Sequence, residues 1–282
     1  MALTESSVLS PKAPSSELKK RVLSAIVMVG LALGAAYWGG WPFALFWLAA
    51  GIATMIEWTD MTKVEPRRVV QAVFGLGLAA LTWLYLSGAG FVVGLVTAFG
   101  FLAFGTLFAR GARNKLWAAS GFAYAAVMVL VPPMVRAYPE IGVLGLIWMF
   151  GVVWATDIAA YFTGRALGGP KLCPSISPKK TWSGFFGGLS AAALAGFLVA
   201  WLGRSWGLDH SFNALTVVAL SMIASVASQV GDLGESALKR YCDVKDSSHL
   251  IPGHGGVMDR LDGFWAVSLI IGIFLLVAYG VA

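Results

Sequence analysis

The stretch GHGGVMDRLDGFWAVSLIIGIFLLVAYGVA, Gly253–Ala282, sets a glycine-loosened charged block directly against a run without any charge. Asp259, Arg260 and Asp262 fall within four positions, and from Phe264 to Ala282 no charged residue occurs. Such a run is about as long as the ~20 residues that an α-helix needs to cross a bilayer core. Its apolar residues do not alternate with polar ones, as the strands of a membrane barrel would. A segment in lipid must satisfy its own backbone hydrogen bonds, so the run reads as a helix.

The rest of the chain reads the same way. Its 282 residues are 58% hydrophobic and 12% charged, and the mean hydropathy is +0.78. Soluble domains carry roughly a quarter charged residues. The fold class expected is all-α, a polytopic integral membrane helix bundle. Nine apolar segments are expected, at 22–38, 41–57, 69–87, 90–108, 117–135, 142–163, 183–203, 212–231 and 263–282. Pro132 and Pro133 are expected to distort the end of the fifth. Residues 1–21 read as a cytoplasmic tail and 22–282 as a single transmembrane catalytic domain. Further spans follow the first, which therefore reads as an uncleaved span rather than a signal peptide.

Basic residues set the orientation of such a chain. With the N-terminus in the cytoplasm, 18 of the 20 Lys and Arg residues fall on the inner side, and only Arg136 and Arg204 fall outside. The net charge of +6 is thereby explained without nucleic acid, which is excluded as a partner. Cys173 and Cys242 are too few for a disulfide framework and fall on the reducing side.

Two inner loops hold the remaining chemistry, 164–182 and 232–262. The second carries ten of the 34 charged residues, together with His249 and His254. Positive-inside bias explains its Lys and Arg but not its acids, which contribute little to orientation. Mixed charge at the mouth of a helix bundle suits a metal and a phosphate. Asp232 closes the eighth segment, where the helix dipole favours a cation. Mg²⁺ takes one or two carboxylates, water and phosphate oxygens, so Asp232 and Asp259 are candidate ligands. Each alone reads equally as a helix cap or a partner of Arg260.

SPKKT, Ser177–Thr181, precedes the seventh segment, whose N-terminal N–H groups attract anions. Lys179 and Lys180 add charge there, and Thr181 or Ser183 would cap the helix. Two snorkelling lysines on a capped helix are the plainer reading. Asp157 lies within the sixth segment, where a carboxylate is costly and marks function or pairing. Tyr161 follows on the same helical face. His254, between glycines, reads as a base or as a turn histidine with one hydrogen bond. His249 reads as a surface residue.

The run SALKRYCDVKDSSHLIPGHGGVMDRLD, Ser236–Asp262, resembles the signature of the phosphatidate cytidylyltransferases, also called CDP-diacylglycerol synthases. The matching residues are Ser236, Lys239, Arg240, Lys245, Asp246, Pro252 or Gly253, His254, Gly255, Gly256, Asp259, Arg260 and Asp262, with spacings intact over 27 positions. DIAAYFTGRALGG and SPKKT resemble upstream blocks of that family. Ser183 stands where relatives often have Glu.

The resemblance implies that CTP and phosphatidic acid give CDP-diacylglycerol and pyrophosphate, in phospholipid biosynthesis. It implies Mg²⁺ or another divalent cation on Asp232 and Asp259, and a homodimer. Catalytic roles are implied for Asp232, Asp259, Lys239, Arg240, Arg260 and Asp262. Substrate binding is implied for Ser177, Lys179, Lys180, Thr181, Asp157, Tyr161, Ser236, Lys245, Asp246, His254, Gly255 and Gly256. Asp262 and Asp246 would orient Arg260 and Lys245. The expected location is the cell's inner (plasma) membrane, multi-pass among membrane lipids, with the site facing the cytoplasm.

The nucleophile in that reaction is a phosphate monoester, whose second pKa is about 6. It needs no strong base; the obstacle is repulsion between two polyanions. Two other readings compete. A lipid-alcohol kinase would transfer the γ-phosphate and would need a base. A transporter would explain Asp157, but no inverted repeat is evident. The Asp-Gly-x-x-Ala-Arg run of CDP-alcohol phosphotransferases does not occur.

Overall fold

The computed structural model describes residues 14–139, 142–206 and 213–280. Among them are nine helices: α1 (Pro14–Trp38), α2 (Gly40–Thr62), α3 (Arg67–Leu86), α4 (Phe91–Phe108), α5 (Gly111–Ala137), α6 (Gly142–Leu167), α7 (Trp182–Ser205), α8 (Ala214–Tyr241) and α9 (Met258–Gly280). The helix bundle expected from the sequence is what is found. Seven helices are long and apolar enough to span a membrane. The apolar stretches of the other two, Val22–Trp38 and Val92–Phe108, are shorter. α1 begins at Pro14, inside the stretch read as a polar tail, and residues 1–13 of that tail lie outside the described residues.

Several boundaries differ from the sequence reading for one reason. The expected spans stop where charge begins, but helices continue into the polar zone. α8 runs ten residues past Gly231 and lifts Asp232, Glu235, Ser236, Lys239 and Arg240 out of the expected loop onto one helix. α9 starts at Met258, so Asp259, Arg260 and Asp262 lie in its opening turns. α6 reaches Leu167, which places Asp157 well before its end. α5 continues through Pro132 and Pro133 to Ala137, and Tyr85 Oη donates to the Pro133 carbonyl at 2.8 Å.

The 164–182 loop is not all irregular. Strands β1 (Lys171–Cys173) and β2 (Ser177–Thr181) form an antiparallel hairpin, with Lys171 opposite Thr181 and Cys173 opposite Ser177. Thr181 ends β2 and caps α7, its hydroxyl accepting from Gly184 N at 3.1 Å. This small hairpin is an addition to the all-α expectation.

Among the described residues three clusters of buried apolar side chains pack the bundle, the smallest being Trp58, Met61 and Met258 beside the start of α9. Met55, Phe74, Leu78, Phe122 and Val129 join α2, α3 and α5. Phe43, Trp47, Met128, Met149, Phe150, Phe264 and Val267 join α2, α5, α6 and α9. Phe264 stacks on Trp47 at 5.1 Å and on Phe150 at 5.0 Å, and so fixes the start of α9. α6 and α7 approach closely because glycines line the seam: a Cβ at Gly184 would stand 2.7 Å from the Ala160 carbonyl oxygen. Lipid tails are as apolar as leucine, so close backbone approach and interhelical hydrogen bonds must hold such helices together. Thr156 donates to Ser225 at 3.0 Å, and the Trp148 indole to Ser221 at 2.7 Å.

Candidate active site

The polar groups concentrate where α8 ends and α9 begins. On α8, Asp232 and Ser236 are four residues apart, as are Glu235 and Lys239, so each pair shares a face. Lys239 Nζ lies 3.2 Å from Glu235 Oε1 and donates to Asp259 Oδ1 at 2.6 Å, tying α8 to α9. The side chains of Glu235 and Asp259 are 2% and 4% exposed, and for Glu235 the Lys239 ammonium is the neighbouring positive charge.

Asp259 does more than face a cleft. Its Oδ2 accepts from Ser247 N at 2.9 Å, Ser247 Oγ at 2.9 Å and Gly256 N at 2.8 Å. The side chain of a first-turn acid thus reaches back to the N–H before the helix, as in a capping box. The two glycines of the signature follow from this. Gly255 has φ +81°, which favours glycine, and a Cβ on it would stand 2.6 Å from Asp259 Oδ2. A Cβ on Gly256 would collide with Ser247 Oγ and Glu57 Oε1.

The hairpin supplies the second wall. Lys180 Nζ lies 2.5 Å from Asp232 Oδ2, and Ser236 Oγ donates to Asp232 Oδ1 at 3.4 Å. Asp157 is exposed on α6, within electrostatic range of Asp262 and Arg260 of α9, Asp232 of α8 and Lys180 of β2. Asp262 accepts from its neighbour Gly263 N at 2.8 Å and lies within range of Asp232 and Lys239. Beside these groups is a polar cavity of about 410 Å³, lined by Lys245, Asp246, His249, His254, Gly255 and Arg260 among others. His254 Nδ1 meets Ser24 Oγ of α1 at 2.8 Å, and Arg260 Nε donates to the His254 carbonyl at 3.1 Å.

Some expected arrangements are absent. Arg260 holds a backbone carbonyl, and among the described residues no ion pair joins it to Asp262 or joins Lys245 to Asp246. Tyr161, exposed like Asp157 one turn before it, accepts from Arg165 at 2.9 Å. Lys179 and Arg240 are exposed, and neither enters an ion pair among the described residues; Ser177 opens β2 opposite Cys173. Cys173 and Cys242 are free, and burial pushes the Cys242 thiol up, away from thiolate chemistry.

The described residues contain no cluster of three or more His, Cys, Asp or Glu side chains arranged to hold a metal. A Mg²⁺ ion completed by water and phosphate needs only one or two carboxylates. Asp232 is partly exposed and pairs with Lys180, whereas Asp259 is 4% exposed with its Oδ1 held by Lys239, so Asp232 is the carboxylate of the two that is open to a hard cation, and Asp259 could join it only by exchanging the ammonium group for the ion. Oδ2 of Asp259 is already saturated by three donors.

The largest omission of the sequence reading is Glu57 of α2, 3% exposed. Its carboxylate accepts from Ser248 Oγ at 2.7 Å and Val257 N at 2.8 Å through Oε1, and from Met258 N at 2.8 Å and Ser247 Oγ at 3.2 Å through Oε2. The available signal was an acid at the end of an apolar span, the same signal that marks Asp157.

A membrane helix bundle with a cleft of paired carboxylates and lysines at one end is the class of protein that fold and site define. The chain matches the sequence model of the Cytidylyltransferase family over residues 19–278, and it belongs to that family. It is 39% identical over 267 residues to a phosphatidate cytidylyltransferase of Brucella suis biovar 1 (strain 1330), covering 92% of this chain and 93% of the relative. It is 35% identical over 277 residues to the phosphatidate cytidylyltransferase of Haemophilus influenzae, covering 88% and 95%. A Staphylococcus aureus (strain COL) protein of that name is 40% identical over 131 residues, covering 46% and 48%.

Proposed function

We propose that this chain transfers the cytidylyl group of CTP to phosphatidic acid, giving CDP-diacylglycerol and pyrophosphate in phospholipid biosynthesis. The observation that carries this reading is the signature run: it folds into one cleft wall, with Asp259 and Lys239 paired between α8 and α9 and Arg260 on the adjoining polar cavity. Full-length similarity to proteins named for the activity supports it.

The lipid phosphate attacks the α-phosphorus of CTP, a P–O bond forms, and the bond to pyrophosphate breaks. Because a phosphate monoester is mostly ionised at neutral pH, no side chain must remove a proton. Catalysis rests on alignment and charge neutralisation. Lys245, His254 and Arg260 line the polar cavity and would receive the triphosphate. Lys180, with exposed Lys179 beside it on β2, would meet the lipid phosphate from the hairpin side. Asp232 and Asp259 would hold a divalent cation, which when bound lowers repulsion between the phosphates and stabilises the leaving pyrophosphate.

An apolar groove of about 840 Å³ runs between α8 and α9, with Val226, Ala227 and Val230 on one side, Trp265 and Ile270 on the other, and Glu235 at its polar end. It would take the acyl chains of the lipid. The positive-inside pattern supports a cytoplasmic site in the inner membrane, where water-soluble CTP meets a membrane-bound lipid. A homodimer is the assembly that the family resemblance implies.

The test is purified protein in detergent with phosphatidic acid, Mg²⁺ and each nucleoside triphosphate in turn. Pyrophosphate and nucleotidyl-lipid are expected with CTP and not without phosphatidic acid or Mg²⁺. Equal release without lipid acceptor would refute the reading.

A further inference from the structure

We infer that Glu57, outside the signature and contributed by α2, is a positioning residue of this site, which sets the loop 247–258 and the start of α9 over the cleft. The inference rests on the cytidylyl-transfer reading for its consequence, but not for its geometry.

Glu57 is buried and forms no salt bridge among the described residues. Its charge is met by four donors instead, two backbone N–H groups and two hydroxyls. The N–H groups of Val257 and Met258 belong to the opening of α9, where a carboxylate is favoured by unpaired donors and the helix dipole. Glu57 therefore caps α9 from another helix. Ser247 completes the arrangement, because its hydroxyl lies 3.2 Å from Glu57 Oε2 and 2.9 Å from Asp259 Oδ2. One acid from α2 and one from α9 thus grip the loop from two sides.

What the grip positions is functional. The loop carries His254 and leads into Asp259 and Arg260, while Lys245 and Asp246 lie immediately before it. His254, Arg260 and Lys245 line the cavity that would receive the triphosphate. The lysines on β2 belong to a different element, which Glu57 does not touch. Loss of the grip should therefore harm CTP capture more than phosphatidate capture.

Glu57→Gln is the informative variant. An amide has one acceptor oxygen, so its NH₂ group must face either the Val257 N–H or the Met258 N–H, and neither can turn to accept. Ser248→Ala is a milder second variant: it deletes the hydroxyl that donates to Oε1 and accepts from Leu250 N at 3.1 Å, and leaves both backbone bonds to Glu57, so the protein should fold even if Glu57→Gln does not. Two readouts are taken on detergent-purified protein. Hydrogen exchange should accelerate about tenfold or more over residues 247–258 in Glu57→Gln, less in Ser248→Ala, with α6 and α7 unchanged. With α-labelled CTP, KM for CTP should rise about tenfold or more while KM for phosphatidate stays within twofold.

Unchanged exchange in that loop would overturn the inference. A fall in maximal rate alone, with both KM values unmoved, would overturn it too, because a merely structural role lowers the active fraction without touching KM. If the wild-type protein incorporates no α-label at all, the cytidylyl-transfer reading fails, and the exchange result still decides whether Glu57 holds the loop.

Discussion

Asp259 takes four hydrogen bonds from three residues, and this density limits what may replace it. An asparagine there has a single acceptor oxygen. Facing Lys239, it would turn its NH₂ group onto two backbone N–H donors; facing those donors, it would turn the NH₂ onto an ammonium group. A buried donor left unsatisfied costs about 1–3 kcal/mol. Asp259→Asn should therefore unfold at lower temperature, and it should also lose most of its turnover, because the tie between α8 and α9 and the hold on the 247–256 loop are both weakened. Turnover with α-labelled CTP and thermal unfolding in detergent check both outcomes, and wild-type turnover would remove Asp259 from the site. The sequence alone supported a metal ligand or a cap for this residue, and the structure displays the cap. Glu57 was harder to read. An acid at the end of an apolar span was its one local mark, and its partners lie 190 to 201 positions away, so the sequence could not say what it holds.

At the scale of elements, the placement of the site depends on helices that outlast their hydrophobic runs. Hydropathy reports what faces lipid, not where hydrogen bonding ends, so α8 and α9 were legible as spans but not in their polar turns. The hairpin escaped notice because five residues of β2 are too few to show alternation. Its junction with α7 is nevertheless encoded locally, in a threonine cap and glycines. The cap hydroxyl of Thr181 is 2.8 Å from where a Cβ on Gly164 would stand, and Gly184 faces the Ala160 backbone. Gly184→Val should push α6 from α7, at a cost typical of overpacking, about 1–3 kcal/mol. A lower unfolding temperature and weaker phosphatidate capture by the displaced hairpin are the expected results. An unchanged unfolding temperature would show that the seam is slack.

Across the whole molecule, the first helices are not a passive membrane anchor. The family signature lies between Ser236 and Asp262, yet α2 holds its loop through Glu57 and α1 meets His254 through Ser24. The charged end of α8 and α9 adjoins an apolar groove along the same two helices, the arrangement that a charged headgroup with hydrocarbon tails requires. Ala227→Phe, which narrows the groove away from the charges, should raise KM for long-chain phosphatidate severalfold and leave a short-chain substrate and CTP unaffected. Equal effects on both lipids would place the acyl chains elsewhere.

The label position in CTP tests the chemistry most directly. Purified protein is incubated with phosphatidic acid and Mg²⁺, once with CTP labelled at the α-phosphate and once with label at the γ-phosphate. Cytidylyl transfer puts the α-label into lipid and releases the γ-label in pyrophosphate. Recovery of γ-label in lipid, with α-label left in CDP, would contradict it.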